Sequence, residues 1–308
     1  MVTQPEALQS AQPLLSRKPE AVYLVSTMEL SRIERELDAL PQAEMVVGLG
    51  GGMALDFAKF ICWKRGGEPV LVPGAASVDA AVCLAIAVRE RSRVRYVGEV
   101  LARQIICDFE LMLAAPLRLN RAGIGDILSI HTALYDWRLA AERGKAKFAP
   151  DIAAAAYGLL EKLEQNASEI HQVSERGLRF LMEAFAEENA LCIDAGSSRP
   201  EEGSEHFFAY AVEQATGRAF VHGELVCLGV VLMSRLQGNQ PERALRLIEN
   251  VGVSFQPVQL GLSRRQLEEV LLHLRRFSEE ENLVWSVVNE AQITPAVIEK
   301  LLAGLVFA

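Results

Sequence analysis

The chain has 308 residues, enough for about two domains of ordinary size and a sizeable core. Half of its residues are hydrophobic and 23% are charged, which excludes global disorder and a collagen-like fibre. A net charge of −9 with no Lys/Arg-rich run repels a phosphate backbone, so no nucleic-acid partner is expected. The five cysteines (Cys62, Cys83, Cys107, Cys192, Cys227) are odd in number and widely spaced, with no C-x-x-C pair, and read as reduced residues of a cytoplasmic protein. No segment has the roughly 18 apolar residues of a membrane span, and the opening MVTQPE has no signal-peptide character.

Residues 1–20 are polar and proline-interrupted, with only a weak helical pattern over Ala7 to Leu15, and are expected to form an N-terminal arm. Ala21 to Val25 is a short β-branched and aromatic run that predicts a buried strand. Leu30, Ile33, Leu37 and Leu40 then recur at three and four, the period of one helix face. Met45-Val46-Val47 predicts a second strand, ending in Gly48-Leu49-Gly50-Gly51-Gly52, and Val70-Leu71-Val72-Pro73 predicts a third, stopped by its proline. This alternation implies a parallel sheet with crossover helices, an α/β Rossmann-like domain over residues 21–116. Within it, the apolar patches around Val94-Tyr96-Val97 and Ile105-Ile106-Cys107 are expected to pair as a hairpin or sheet edge. From about Leu117 helical periodicity takes over, predicting an all-α domain over 117–308 with helices at 127–141, 152–165, 175–190, 205–216, 225–237 and 266–272.

Four motifs could carry chemistry. In GLGGGMALDFAK a strand runs through glycines into a helix, where free N–H groups can face a phosphate and Lys59 can add charge; a tight βα turn reads equally well. In RAGIGDILS, Asp126 is either a helix-start carboxylate or a ligand. The third and fourth are GSSRPEEGSEH and HGE, which hold two of only five histidines. One Asp and two His form a three-ligand set that leaves a divalent metal open to substrate oxygen. Spacing alone cannot bring Asp126, His206 and His222 together. Arg199 offers a bidentate phosphate donor or is a surface residue, and His131, on the helix begun by Asp126, reads as structural.

In this order the four strings resemble the iron-containing alcohol dehydrogenase and glycerol dehydrogenase superfamily, of dehydroquinate synthase-like fold, and most of all its glycerol-1-phosphate dehydrogenase branch. The resemblance spans about Val22 to Arg235, two thirds of the chain. It implies a dinucleotide-binding α/β domain and a helical metal-binding domain. It implies metal ligands Asp126, His206 and His222; cofactor contacts at Gly50, Gly51, Gly52, Asp56, Lys59 and Ser77; and catalytic roles for Asp79 and Asp126. It also implies a substrate-phosphate contact at Arg199. The implied cofactors are NAD or NADP and a divalent metal, for which zinc, nickel or iron(II) all suit the donors.

The implied reaction is a metal-dependent oxidation or reduction of a small polyol or its phosphate, with sn-glycerol 1-phosphate and dihydroxyacetone phosphate the favoured pair, and the resemblance leaves room for a homo-oligomer. A redox-inactive relative, a glycerol dehydrogenase-type activity on an unphosphorylated polyol, and a dehydroquinate synthase-type cyclase are the alternatives. Three departures stand out. Gly74 follows Pro73 where relatives carry threonine, Glu201-Glu202 adds acid beside Arg199, and only one strand-helix unit is recognised before the triple glycine, so the α/β domain is expected to be truncated by one unit.

Overall fold

The computed structural model describes residues 1–308. It shows the expected α/β domain followed by a helical domain, with one difference at the start. Strand β1 (Val2–Thr3) is followed by helix α1 (Pro5–Ala11), and then by β2 (Tyr23–Leu24), α2 (Leu30–Ala39), β3 (Val47–Gly50), α3 (Gly52–Arg65) and β4 (Val70–Pro73). With β7 (Gln104–Ile105), reached after the hairpin β5 (Ala85–Glu90) and β6 (Arg93–Glu99), the strands form a parallel sheet in the order β2-β1-β3-β4-β7.

Residues 1–20 are therefore not an arm, and the domain is not short of a unit. Val2 pairs with both Tyr23 and Gly48, so β1 lies inside the sheet, and Tyr23 and Val25 donate to the Met1 and Thr3 carbonyls at 2.9 Å. Pro5 starts α1 at a position where its missing N–H has no partner to lose. Two residues carry no periodicity, so this strand is invisible to pattern analysis; its burial comes from the flanking strands and from helix α3 packed over it.

A second expectation is also corrected. The Val94–Val97 patch pairs with β5, whose Ile86 and Val88 are fully buried, across a two-residue turn in which Arg91 and Ser92 both have positive φ, the form that matches strand twist. Ile105 joins β4 in the parallel sheet instead. The alternation in Ala85–Glu90 competes for the same partner and wins by adjacency.

The helical domain comprises α4 (Phe109–Leu113), α5 (Leu117–Ala122), α6 (Ile124–Glu142), α7 (Pro150–Gln172), α8 (Glu175–Ala195), α9 (Ser204–Thr216), α10 (His222–Gln237), α11 (Pro241–Val251), α12 (Pro257–Leu260), α13 (Arg264–Glu280), α14 (Val287–Glu290) and α15 (Pro295–Leu301). Helices α6, α9 and α10 form its buried centre, and α10 is buried on nearly every face. None of the helices is long and apolar enough to cross a membrane, and all five cysteines are free thiols.

Val2→Asp is expected to place an unpaired charge inside the sheet and to lower stability by more than about 2 kcal/mol, measured by chemical denaturation. An exposed arm would tolerate the change.

Candidate metal and nucleotide site

The site is built where three helix starts meet. The Gly-Asp and His-Gly pairs open α6 and α10, and there the two backbones touch: a Cβ on Gly125 would lie 2.4 Å from Gly223 Cα, and one on Gly223 would lie 1.9 Å from the Ala122 carbonyl oxygen. Only glycine permits this approach. It brings His222 Nε2 to 3.4 Å from Asp126 Oδ1, and the ring of His206, in the first turn of α9, to 5.2 Å from the His222 ring. The ligand atoms of Asp126, His206 and His222 all fall within 4.8 Å of one another. Two ligands each about 2.1 Å from one tetrahedral ion are about 3.4 Å apart. Asp126 Oδ1 is buried without a hydrogen-bond donor, as a carboxylate oxygen reserved for a cation would be. These donors fit a divalent metal.

Glu205 organises this centre, and its role is not evident from spacing. Its fully buried carboxylate receives Gly203 N–H at 2.6 Å, the Thr132 hydroxyl at 2.6 Å and His206 Nδ1 at 2.9 Å. An acceptor on Nδ1 fixes the proton there and leaves Nε2 as the ligand atom. Burial disfavours the charged imidazolium, but the hydrogen bond and charge of Glu205 outweigh it and push the His206 pKa up to about 9. Asp136, one further partner on α6, accepts Ser204 N–H at 2.8 Å and Val287 N–H at 2.7 Å, pinning the start of α9. Asp126, Ser129, Thr132 and Asp136 recur at three, three and four, one polar stripe of α6 facing α9. Arg118 holds the buried Glu224 with two guanidinium nitrogens, which anchors the first turn of α10.

Asp79 stands beside the metal ligands. Its N–H donates to Asp126 Oδ2 at 3.1 Å and its Oδ2 accepts from Asn189 of α8 at 2.9 Å. Burial, with the Asp126 charge adding to it, pushes its pKa up to about 6. Ser77 lies half-buried in the same loop.

At the glycine turn, Gly50 adopts φ +138° and its carbonyl accepts from Gly74 N–H at 2.9 Å, so the parallel pairing of β3 and β4 runs to the very ends of both strands. A Cβ at position 74 would sit 3.2 Å from Gly50 Cα, which explains the glycine after Pro73. Gly51 N–H, at the start of α3, is held by the side-chain oxygen of Gln4 at 2.9 Å. Sequence reasoning passed over Gln4 because it treated that segment as an arm.

Asp56 and Lys59 do not meet the expectation of cofactor contact. Lys59, 1% exposed, pairs with Asp56 at 2.7 Å and donates to the Cys83 and Ala85 carbonyls, beneath the hairpin and not on the glycine turn. Helix α3 is covered by the sheet on one side and the hairpin on the other, so its polar residues must satisfy each other. Arg199 is also inside, donating to the Trp285 carbonyl at 2.6 Å; it does not display a free fork at the surface. His131 pairs with Asn239 and takes no part in the site.

A nucleotide-type α/β domain facing an Asp-His-His centre defines a class: metal-dependent dehydrogenases of two-domain architecture. The sequence profile described as iron-containing alcohol dehydrogenase matches residues 2–116. Over 259 residues the chain is 32% identical to the glycerol-1-phosphate dehydrogenase [NAD(P)+] of Hyperthermus butylicus, covering 83% of this chain and 73% of that one. The chain belongs to the iron-containing alcohol dehydrogenase family, on the side of its glycerol-1-phosphate dehydrogenases. Membership makes it an NAD(P)-dependent dehydrogenase by family, one whose members imply a divalent metal.

The fold agrees. The crystal structure of a probable glycerol dehydrogenase from Sinorhizobium meliloti 1021 superposes with a TM-score of 0.76 at 19% identity, covering 98% of this chain and 88% of that one. A 2-epi-5-epi-valiolone synthase from Streptomyces hygroscopicus, with NAD+ and Zn2+ bound, gives 0.67 at 17% identity, with coverages of 98% and 88%.

Glu205→Gln removes the negative charge and one of the two oxygens that orient His206, and is expected to weaken zinc binding about 10- to 100-fold, by chelator competition. In the metal-free chain His206 keeps its proton below about pH 9, and an ion must displace it. Zinc affinity should therefore rise by up to about tenfold per pH unit towards that value and then level off; affinity independent of pH would contradict the Glu205 pairing.

Proposed function

We propose that this chain is a metal-dependent, NAD(P)-linked oxidoreductase interconverting sn-glycerol 1-phosphate and dihydroxyacetone phosphate. The convergence of Asp126, His206 and His222 next to Asp79 carries this reading. The substrate class is supported by the name of the relatives. Two imidazoles and one carboxylate suit zinc best among the divalent ions, with nickel and iron(II) also compatible. A reduced, cytoplasmic protein accords with the five free thiols.

Bound at those three residues, a divalent ion supplies a Lewis acid for the substrate's carbonyl oxygen. The protein orients the reactants around it. At the paired ends of β3 and β4, Gly50 and Gly74 carry no side chain in the way of a pyrophosphate, and the N–H groups of Gly51 and Gly52 at the start of α3 are the anion donors. Gln4 holds the Gly51 donor when no phosphate is present and yields it when one arrives. Asp79, whose carboxyl burial and the Asp126 charge push up in the metal-free chain, is tied to the centre through Asp126 and is the group placed to pass a proton to the substrate oxygen. The redox-inactive alternative drew its force from a missing first strand-helix unit, and β1 with α1 supplies that unit.

Zinc-loaded protein is expected to oxidise NADH or NADPH when dihydroxyacetone phosphate is added, as followed by nicotinamide absorbance. His206→Ala should lower the rate at least about a thousandfold, equivalent to about 4 kcal/mol of transition-state stabilisation. If neither cofactor bound at millimolar concentration, the dehydrogenase reading would fall. Full turnover by His206→Ala would sink the metal centre alone.

A further inference from the structure

Behind the three metal ligands lies a second group of acids that the dehydrogenase reaction does not use. Glu188 of α8 is 1% exposed, and neither of its carboxylate oxygens has a hydrogen-bond donor. Its carboxyl faces that of Glu201, whose Oε2 is also buried without a partner, and both feel the charges of Asp79 and Asp126. The backbone ties them to the centre: Ser129 Oγ lies 2.5 Å from both the Asp126 and the Glu201 carbonyl oxygens, and Asn189, next to Glu188, holds Asp79.

The nearest protein countercharge is the His206 imidazolium of the metal-free chain, and metal binding displaces its proton. Lys59 is committed to Asp56 and two carbonyls, and Arg199 donates to Trp285. Four carboxyl groups (Asp79, Asp126, Glu188, Glu201) therefore crowd one centre, and burial together with their acidic neighbours holds Glu188 and Glu201 in the protonated form unless a cation joins them. Glu202 is not part of this group, because it already accepts from Tyr210 at 2.9 Å.

We propose that Glu188 and Glu201 form a second cation site, for a hard divalent ion such as Mg2+ or Mn2+, beside the Asp126-His206-His222 centre. The donors on offer are oxygens: Cys192, one turn along α8, is held as a thiol because burial and then the Glu201 and Glu188 charges push its pKa up. Small hard ions are commonly held by one or two carboxylates, with water and substrate phosphate completing the shell. This explains how Glu201 and Glu202 can stand where an anionic substrate must come. The role in admitting substrate rests on the phosphate reading above; the ion site itself does not.

The test begins with metal-free chain reloaded with one equivalent of Zn2+ and equilibrated with Mn2+, the bound metals being counted by mass spectrometry and Mn2+ by electron paramagnetic resonance. One zinc and one manganese per chain are expected. Glu188→Gln and Glu201→Gln should each keep the zinc and weaken Mn2+ at least tenfold. Glu188→Gln should not lower the Tm of the metal-free chain, since burial already holds Glu188 as an uncharged carboxyl of nearly the same shape, and this shows that the variant folds. A single metal per wild-type chain, or unchanged Mn2+ affinity in the double variant, overturns the site. Adding sn-glycerol 1-phosphate should tighten Mn2+ at least fivefold; no tightening with the second ion present overturns its role toward the phosphate. Failure to reduce dihydroxyacetone phosphate while two metals are counted would bear on the proposed reaction and not on this site.

Discussion

The contact between the backbones of α6 and α10 at Gly125 and Gly223 is the constraint on which the rest of this site depends. Helices with side chains at the crossing are held about 8–10 Å apart, whereas here a single added Cβ would overlap main-chain atoms. That approach puts the first turns of both helices side by side and so sets Asp126 against His222. The third ligand then has to be aimed from α9, and Asp136, Thr132 and Glu205 do this with hydrogen bonds to the main chain and to the imidazole of His206. The ligand geometry is thus produced by packing, and its orientation by buried polar partners.

The electrostatic consequence is a centre with more acid than base. Burial raises the pKa of Asp79, Glu188 and Glu201, each reinforced by its acidic neighbours, while the one buried ammonium nearby is used to stitch α3 to the hairpin. A buried carboxylate without donors is costly unless a cation or a proton answers it. Metal binding and the stability of this domain are for that reason coupled.

The nucleotide half shows the same interplay of local signal and long-range pairing. The triple glycine announced a turn suited to a phosphate, and the structure adds how tightly Gly74 packs on Gly50 and which side chain holds the Gly51 N–H. Lys59 looked like a phosphate ligand because it is one helix position among several near the turn. Its direction depends on which face of α3 the hairpin covers, and no local pattern reports that. Glu188 is an acid on the amphipathic helix α8, and no local pattern reports its burial beside Glu201.

By itself the sequence determined the alternation of strands and helices, the glycine turn and the change to helix near residue 117, and family resemblance singled out Asp126, His206 and His222, which the structure brings together. Those signals are local, since period, glycine and motif order survive without tertiary context. Only the tertiary structure decided that Val2 and Thr3 are a central strand, that Ile105 joins β4 rather than a hairpin, and that Glu205 fixes the His206 tautomer. A two-residue strand has no period of its own, and the orientation of a buried carboxylate is set by groups distant in the chain; both exist only once the neighbouring elements have packed.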